Sequence, residues 1–451
     1  MGISASRHER TILLESTGSE PVDFWLKKAL HWAIRQSDHV VFFSNNSAYL
    51  PGFSLPYAAF PNRLAVGVYK TVAFSPHTDP FDTLYHHHQQ HPDFLVGYFG
   101  YDLKNRIESL ESRHPNALGF PDVYFFQPLH LIDFDRNRMT VRSWGNPDQV
   151  IDEITASPLH RRNPPASSAS RVRETVRCRV SPEEYRQTVR KIQQDIIDGT
   201  VYELNYCMEF FLENTRLDPL SVYDQLTERS PMPFSHFQRI GNHYVIGASP
   251  ERFLKKTGNR LISQPIKGTI RRGTDPSDDE RLRQQLRSSE KEQAENLMIV
   301  DLVRNDLARS AETGTVQVDE LFGIYPFRQL FQMISTVSAT LRADLPFTTA
   351  IKNAFPMGSM TGAPKVRAME LIDQYEASRR GLYSGAAGFI TPEGDFDLNV
   401  VIRSIFYNSS TGDASFSVGS AITYDADPQQ EYEECLLKAD AILSVLQEAA
   451  S

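Results

Sequence analysis

The feature that most constrains the fold of this sequence is the close spacing of its strand-like runs. An alternating segment spans Val201 to Leu212, and apolar runs follow at Tyr244–Ala248, Arg252–Lys255 and Arg260–Ile262. The last three are separated only by residues 249–251 and 256–259. Runs so closely set read as hairpin-like. Helical periodicity gathers instead at about 278–310, 328–341, 347–354, 364–376 and 430–448, with more strands between 382 and 424. Ser181-Pro182-Glu183-Glu184 opens a further helix with a capping box, and Gly199 stops it. Hairpin-like runs with inserted helices predict an α+β fold rather than a doubly wound parallel sheet.

At 451 residues the chain exceeds one small core, so two lobes or one large layered domain are expected. Residues 157–173 are rich in Pro, Ser and Arg and read as a linker between an N-terminal lobe, 1–156, and a second region, 174–451. In the first lobe, Pro21–Arg35 suits an amphipathic helix, while Val40–Phe43 and Phe94–Asp102 suit buried strands. The net charge of −9 gives no broad attraction for nucleic acid or anionic membrane, and an anionic ligand would need a locally basic pocket. No apolar run approaches the roughly 20 residues that cross a bilayer. Cys178, Cys207 and Cys435 lack metal spacing and fit a reducing cytoplasm.

Chemistry is expected around Lys267 in Gln264-Pro265-Ile266-Lys267-Gly268-Thr269, between an apolar run and a glycine that lets the backbone turn. A lysine held among apolar groups loses hydration, its pKa falls, and it becomes a usable nucleophile. The ordinary alternative is a strand-end lysine that snorkels to water. Glu292 and Glu295 are three apart on one expected helix, as are Glu431 and Glu434 on the last, so each pair shares a face. Acidic pairs are commonly a solvated face; they are also oxygen ligands of the kind Mg²⁺ prefers. Lys438 follows Glu434 by one helical turn, which by itself implies only a weak surface pair. Gly358 to Lys365 lacks the Gly-Lys-Ser/Thr ending of a nucleotide loop. Pro364 suits a first helical turn that leaves backbone donors free for an anion, with the Thr361 hydroxyl adding to them.

Three sets of residues carry a resemblance: Ser249-Pro250-Glu251-Arg252-Phe253, Pro265-Ile266-Lys267-Gly268-Thr269, and Ala294 to Leu302. With Thr361 to Glu370 and Val401-Ile402-Arg403-Ser404, the chain from about 180 to 445 resembles the chorismate-utilising enzymes. These are the synthase subunits that form aminodeoxychorismate, anthranilate, isochorismate and salicylate. The lysine within Pro-Ile-x-Gly-Thr is similar to the aminodeoxychorismate-forming branch, since the anthranilate-forming branch usually carries alanine there. The resemblance implies large antiparallel sheets packed as a sandwich with flanking helices.

It also implies roles. Glu295 and Glu434 become direct Mg²⁺ ligands, with Glu292 and Glu431 beside them or acting through water. Arg403 and Lys438 face substrate carboxylates, and Gly419-Ser420-Ala421 is similar to a glycine-rich turn whose backbone meets a carboxylate, although Ala421 departs from the all-glycine pattern. Gly268 and Thr361 complete the substrate contacts. Lys267 attacks carbon 2 of chorismate, Glu251 protonates the departing carbon-4 hydroxyl, and ammonia then displaces the lysine to give 4-amino-4-deoxychorismate, a precursor of para-aminobenzoate and folate. Phe331-Gln332 stand where many relatives have a histidine before Met-Ile-Ser, which favours a product that stays non-aromatic. No glutaminase pattern is present, so a separate glutamine amidotransferase subunit is the expected ammonia source. The alternatives are an anthranilate-forming component, a catalytically silent chorismate-binding paralogue, and a lysine Schiff-base lyase.

Overall fold

The computed structural model describes residues 6–14, 20–46, 59–158, 175–328 and 330–449. Most of the expected linker, residues 159–173, lies outside them. Among the described residues, twenty strands form one connected antiparallel sheet. From one end the ladder runs Glu203–Leu212, Asp413–Ile422, Ser404–Asn408, His243–Ser249, Phe234–Ile240, His39–Ser44 and Asn62–Thr71. It then turns at the 13-residue strand Val123–Asp135. The second half continues through Leu95–Phe99, Ala386–Ile390, Phe396–Val400, Arg252–Thr257, Arg260–Gln264 and Leu330–Thr340. Strand Leu330–Thr340 pairs in turn with Ile266–Arg271 and Gln317–Pro326.

The two halves fold face to face. Val41, Phe43, Phe60, Val96, Phe126, Phe234 and Phe389 form a cluster drawn from both. Across the same gap, Asn399 Nδ2 donates to the Phe234 carbonyl and meets His236 Nδ1. The antiparallel sandwich expected from the sequence is therefore present, as a single sheet doubled over. Strand pairs His39–Ser44 with Phe234–Ile240 and Leu95–Phe99 with Ala386–Ile390 cross the 157–173 boundary, so the sheet is shared by both regions.

Helices cover the outer faces. Pro182–Ile197, Pro219–Arg229 and Pro428–Ala449 pack with the first half, and Phe347–Ala354 and Glu290–Ala308 with the second. The Ser181 capping box forms as read, and Gly199 follows at φ +74°. Two expectations fail. Residues 328–341 are not a helix but the strand Leu330–Thr340. This strand is paired on both edges and buried on both faces, so its apolar run lacks the period-2 alternation that identifies a strand. The helix expected over 278–310 is two helices, Pro276–Arg287 and Glu290–Ala308, with Ser289 capping the second through the Glu292 amide. The strand read at Phe94–Asp102 is confined to Leu95–Phe99 and gives way to a 3₁₀ turn at Tyr101–Leu103. Among the described residues no helix is long and apolar enough to cross a membrane.

Candidate active site

Lys267 lies in the strand Ile266–Arg271, whose pairing to Leu330–Thr340 slips between Ile266 and Thr269. The slip is possible because Gly268 takes φ +96°, where a side chain would be strained and a Cβ would stand 3.0 Å from Glu292 Oε2. Asn296, on the helix Glu290–Ala308, donates to the Lys267 carbonyl and the Met333 carbonyl and holds the irregularity against that helix. The Lys267 ammonium then sits 3.5 Å from Glu203 Oε1, its side chain only 13% exposed.

The expected fall in the lysine's pKa is not what the site produces. Burial does pull it down, but the carboxylates of Glu203, Glu295, Glu434 and Glu251 more than offset this and hold it above the ordinary lysine value. The resting group is an ammonium. The error came from reading only sequence neighbours, which are apolar, when the spatial neighbours are acidic.

Glu251 follows the strand His243–Ser249 and is 5% exposed. The adjacent Arg252 is not its partner: that guanidinium binds Asp397 and Gln264. Glu251 Oε1 instead accepts from Ser359 Oγ at 2.6 Å. Burial pushes its carboxyl from 4.5 to about 7, with Ser359 and Lys267 opposing. It can therefore hold and release a proton near neutrality. The folded carboxyl binds a proton between pH 4.5 and 7 where the unfolded chain does not, so the cost of Glu251 to folding is absent below about pH 4.5 and complete above 7. Glu251→Gln should accordingly raise Tm at pH 8, by a stability gain on the order of 3 kcal/mol, and leave it unchanged near pH 4. Thermal melts across pH check this, and an equal shift at both pH values would contradict the buried-acid assignment.

The two glutamate pairs converge. Lys291 bridges Glu295 at 3.8 Å and Glu431 at 3.6 Å, while Lys438 pairs with Glu434 at 2.6 Å and donates to the Gly419 carbonyl. Burial raises Glu292 and Glu431, each further raised by Glu434, and takes Glu295 to about 7. Burial also acts on Glu434, but Lys438, Lys267 and Lys291 outweigh it and hold this carboxyl below the ordinary value. Among the described residues no three His, Cys, Asp or Glu side chains form a ready metal cage. The donor set still suits Mg²⁺, which binds through one or two carboxylates plus waters and substrate oxygens. Glu292 and Glu295 on one helix and Glu431 and Glu434 on the other would hold it, and their mutual repulsion is what a divalent charge would relieve.

Arg403 stands between two strands at φ +49°, and its carbonyl accepts from the Ala248 amide, three residues before Glu251. Burial pulls its guanidinium below the ordinary value, and no hydrogen bond or ion pair reaches it among the described residues. A cation held without an anion is a ready seat for a carboxylate.

Two expected contacts are rearranged. Gly419-Ser420-Ala421 is not a turn but part of the strand Asp413–Ile422, opposite Cys207, Tyr206 and Asn205. A Cβ on Gly419 would lie 2.4 Å from Cys207 Sγ, so glycine is needed here for close approach, and Ser420 Oγ meets Tyr185 OH at 3.0 Å. Thr361 is fully buried, and its hydroxyl is spent on the Met357 and Gly358 carbonyls rather than on an anion. The loop before the helix Lys365–Tyr375 likewise pairs Gly362-Ala363 with Leu204-Glu203, so its backbone is engaged. Sequence reasoning missed Glu203, Ser359 and Lys291. Lys291 stands four residues before Glu295, a helical spacing that was a usable signal. Glu203 and Ser359 share no spacing with their spatial partners, and for Glu203 the signal was the alternation of the Val201–Leu212 run, which turns Glu203, Asn205 and Cys207 to one face.

The family model for chorismate binding enzymes matches residues 62–444. Aminodeoxychorismate synthase component 1 of Klebsiella aerogenes is 36% identical over 366 residues, covering 80% of this chain and 79% of that protein. The probable chloroplastic aminodeoxychorismate synthase of Oryza sativa subsp. japonica is 37% identical over 392 residues, covering 79% of this chain, which spans only 43% of that protein's length. The crystal structure of anthranilate synthase component I from Streptococcus pneumoniae superposes with a TM-score of 0.72 at 26% identity, covering 88% of this chain and 94% of that one.

Proposed function

We propose that this chain, which belongs to the chorismate binding enzyme family, is an aminodeoxychorismate synthase component that converts chorismate and ammonia to 4-amino-4-deoxychorismate. The observation that supports this reading is the nearly buried Lys267 ammonium, 3.5 Å from Glu203 and in the field of the Glu295, Glu434 and Glu251 carboxylates. Two successive allylic displacements place nitrogen on the carbon that carried the hydroxyl, and on that route a lysine at 267 supplies the intermediate leaving group.

Arg403 holds one substrate carboxylate and orients the ring. Glu295 and Glu434, with Glu292 and Glu431 beside them, would hold Mg²⁺, which would supply Lewis-acid stabilisation of charge on the substrate. Glu251, protonated below about pH 7, gives its proton to the carbon-4 hydroxyl. Lys267, once neutral, bonds carbon 2 as the ring diene shifts and water leaves. Ammonia then bonds carbon 4, the diene shifts back and the Nζ–carbon bond breaks. Gln332, buried with its Oε1 unpartnered among the described residues, stands where a histidine would assist aromatisation.

A separate glutamine amidotransferase subunit supplies the ammonia, and free ammonium replaces it in vitro. The three cysteines are unpaired, in keeping with a reducing compartment such as the cytoplasm.

The deciding experiment incubates the protein with chorismate, Mg²⁺ and ammonium and identifies the product by mass and fluorescence. Non-fluorescent 4-amino-4-deoxychorismate is expected; fluorescent anthranilate, or unconsumed chorismate, would overturn the reading. Glu434→Ala should raise the Mg²⁺ concentration for half-maximal rate by more than about tenfold, and an unchanged Mg²⁺ dependence would remove Glu434 from the ligand set. The raised Glu295 carboxyl also predicts that Mg²⁺ binding weakens as pH falls below about 7, because protons compete for it.

A further inference from the structure

We propose that Glu203 is the base that takes the proton from Lys267, an inference that rests on the lysine acting as nucleophile. The need arises from the site itself: an ammonium has no lone pair, and four carboxylates hold Lys267 in that form. Three of the four have other work. Glu251 accepts from Ser359 and serves the leaving hydroxyl. Glu434 is paired at 2.6 Å with Lys438, and Glu295 lies 3.8 Å from Lys291. Glu203 is 2% exposed by side chain, its one ion pair is to Lys267, and its Oε2 is buried with no hydrogen-bond partner among the described residues. A buried carboxylate oxygen without a donor is an open seat for a proton.

The position is rigid. Glu203 begins the strand Glu203–Leu212 opposite Ala363, and Gly362 packs so closely that a Cβ there would lie 2.2 Å from the Glu203 carbonyl. Strand alternation points Glu203 to the same face as Asn205, which donates to the Ser359 carbonyl, so the base and the loop carrying the Glu251 partner are held by one strand.

The protons balance over a cycle. Glu203 takes one from the Lys267 ammonium; the neutral amine bonds carbon 2, the ring diene shifts, and the carbon-4 hydroxyl leaves as water with the Glu251 proton. Ammonia bonds carbon 4, the diene returns, and the nitrogen–carbon-2 bond breaks with its electron pair going back to Lys267. The new ring ammonium returns one proton to Glu251, and Glu203 returns its proton to Lys267.

The test isolates the first displacement by mixing protein with chorismate and Mg²⁺ without ammonia and following the Lys267 adduct (chorismate less water) by quenched-flow mass spectrometry. Glu203→Gln should slow adduct formation by about 10²- to 10³-fold at pH 7 while the KM for chorismate changes less than threefold. Its rate should climb about tenfold per pH unit, following the small neutral fraction of Lys267, where the wild type shows no such climb. Glu203→Asp, which keeps the carboxylate one methylene shorter, should recover part of the rate with the wild-type pH shape, and it decides the matter if the glutamine variant does not fold. Adduct formation within threefold of wild type in these variants, with an unchanged pH profile, overturns the role of Glu203. Full amination by Lys267→Ala would instead overturn the nucleophilic reading on which it rests.

Discussion

Lys267→Ala is expected to lower ammonium-dependent formation of 4-amino-4-deoxychorismate by at least about 10⁴-fold, because on the proposed covalent route it removes the group that forms and breaks bonds to carbon. The same variant should still bind chorismate, since Arg403 and the glutamate cluster are untouched. The ammonium it removes is nearly enclosed, with Glu203 at 3.5 Å. The loss leaves Glu203 without the one ion-pair partner it has among the described residues, so a lower Tm above neutral pH is part of the expectation. Steady-state kinetics, chorismate titration and intact-mass spectrometry together check it. A variant that binds chorismate, forms no adduct and makes no product agrees with the covalent route. Retention of even a few per cent of wild-type turnover would show that ammonia reaches the ring without a lysine intermediate.

Substitution of Arg403 is expected to act mostly on KM. A buried guanidinium that meets a substrate carboxylate contributes about 2–5 kcal/mol when its partner would otherwise be left alone. Arg403→Ala should therefore raise the KM for chorismate about 30-fold or more. Arg403→Lys should raise it about tenfold, because an ammonium cannot make the paired, planar contact. Stability provides an independent sign. The guanidinium has no anionic partner among the described residues, and burial already disfavours its charge. Arg403→Met should thus leave the Tm of the ligand-free protein undiminished while abolishing the stabilisation that chorismate gives the wild type. A large fall in Tm would assign Arg403 to the scaffold rather than the substrate.

Much of the fold was legible in the chain, and the exceptions have physical causes. The short gap between Arg252–Thr257 and Arg260–Gln264 marked a true antiparallel hairpin, whereas residues 249–251 join two strands that do not pair with each other but belong to different halves of the sheet. Capping marked the helix Pro182–Ile197. The helices Pro80–Gln90, Pro147–Ala156 and Pro219–Arg229 were passed over, although each follows an Asp or Asn cap with Pro next in line. Leu330–Thr340 was misread because a strand covered on all sides carries no alternation. At the site, Glu292 with Glu295 and Glu431 with Glu434 were visible from helical spacing, since partners three residues apart announce themselves.

What the sequence determined by itself was the inventory: an antiparallel α+β framework, a lysine beside a glycine, two acidic helix faces and an arginine before a strand. Local periodicity and short motifs encode these, because each depends only on neighbours along the chain. The tertiary structure alone decided which charges face one another: that Lys267 lies in the field of four carboxylates and stays protonated, that the Glu251 carboxyl is raised to about 7, that the Arg403 guanidinium has no anionic partner among the described residues, and that Glu203 stands 3.5 Å from Lys267. Charge state is a sum over groups near in space, and those groups, from residues 203 to 438, meet only when the doubled sheet and its two flanking helices close around them.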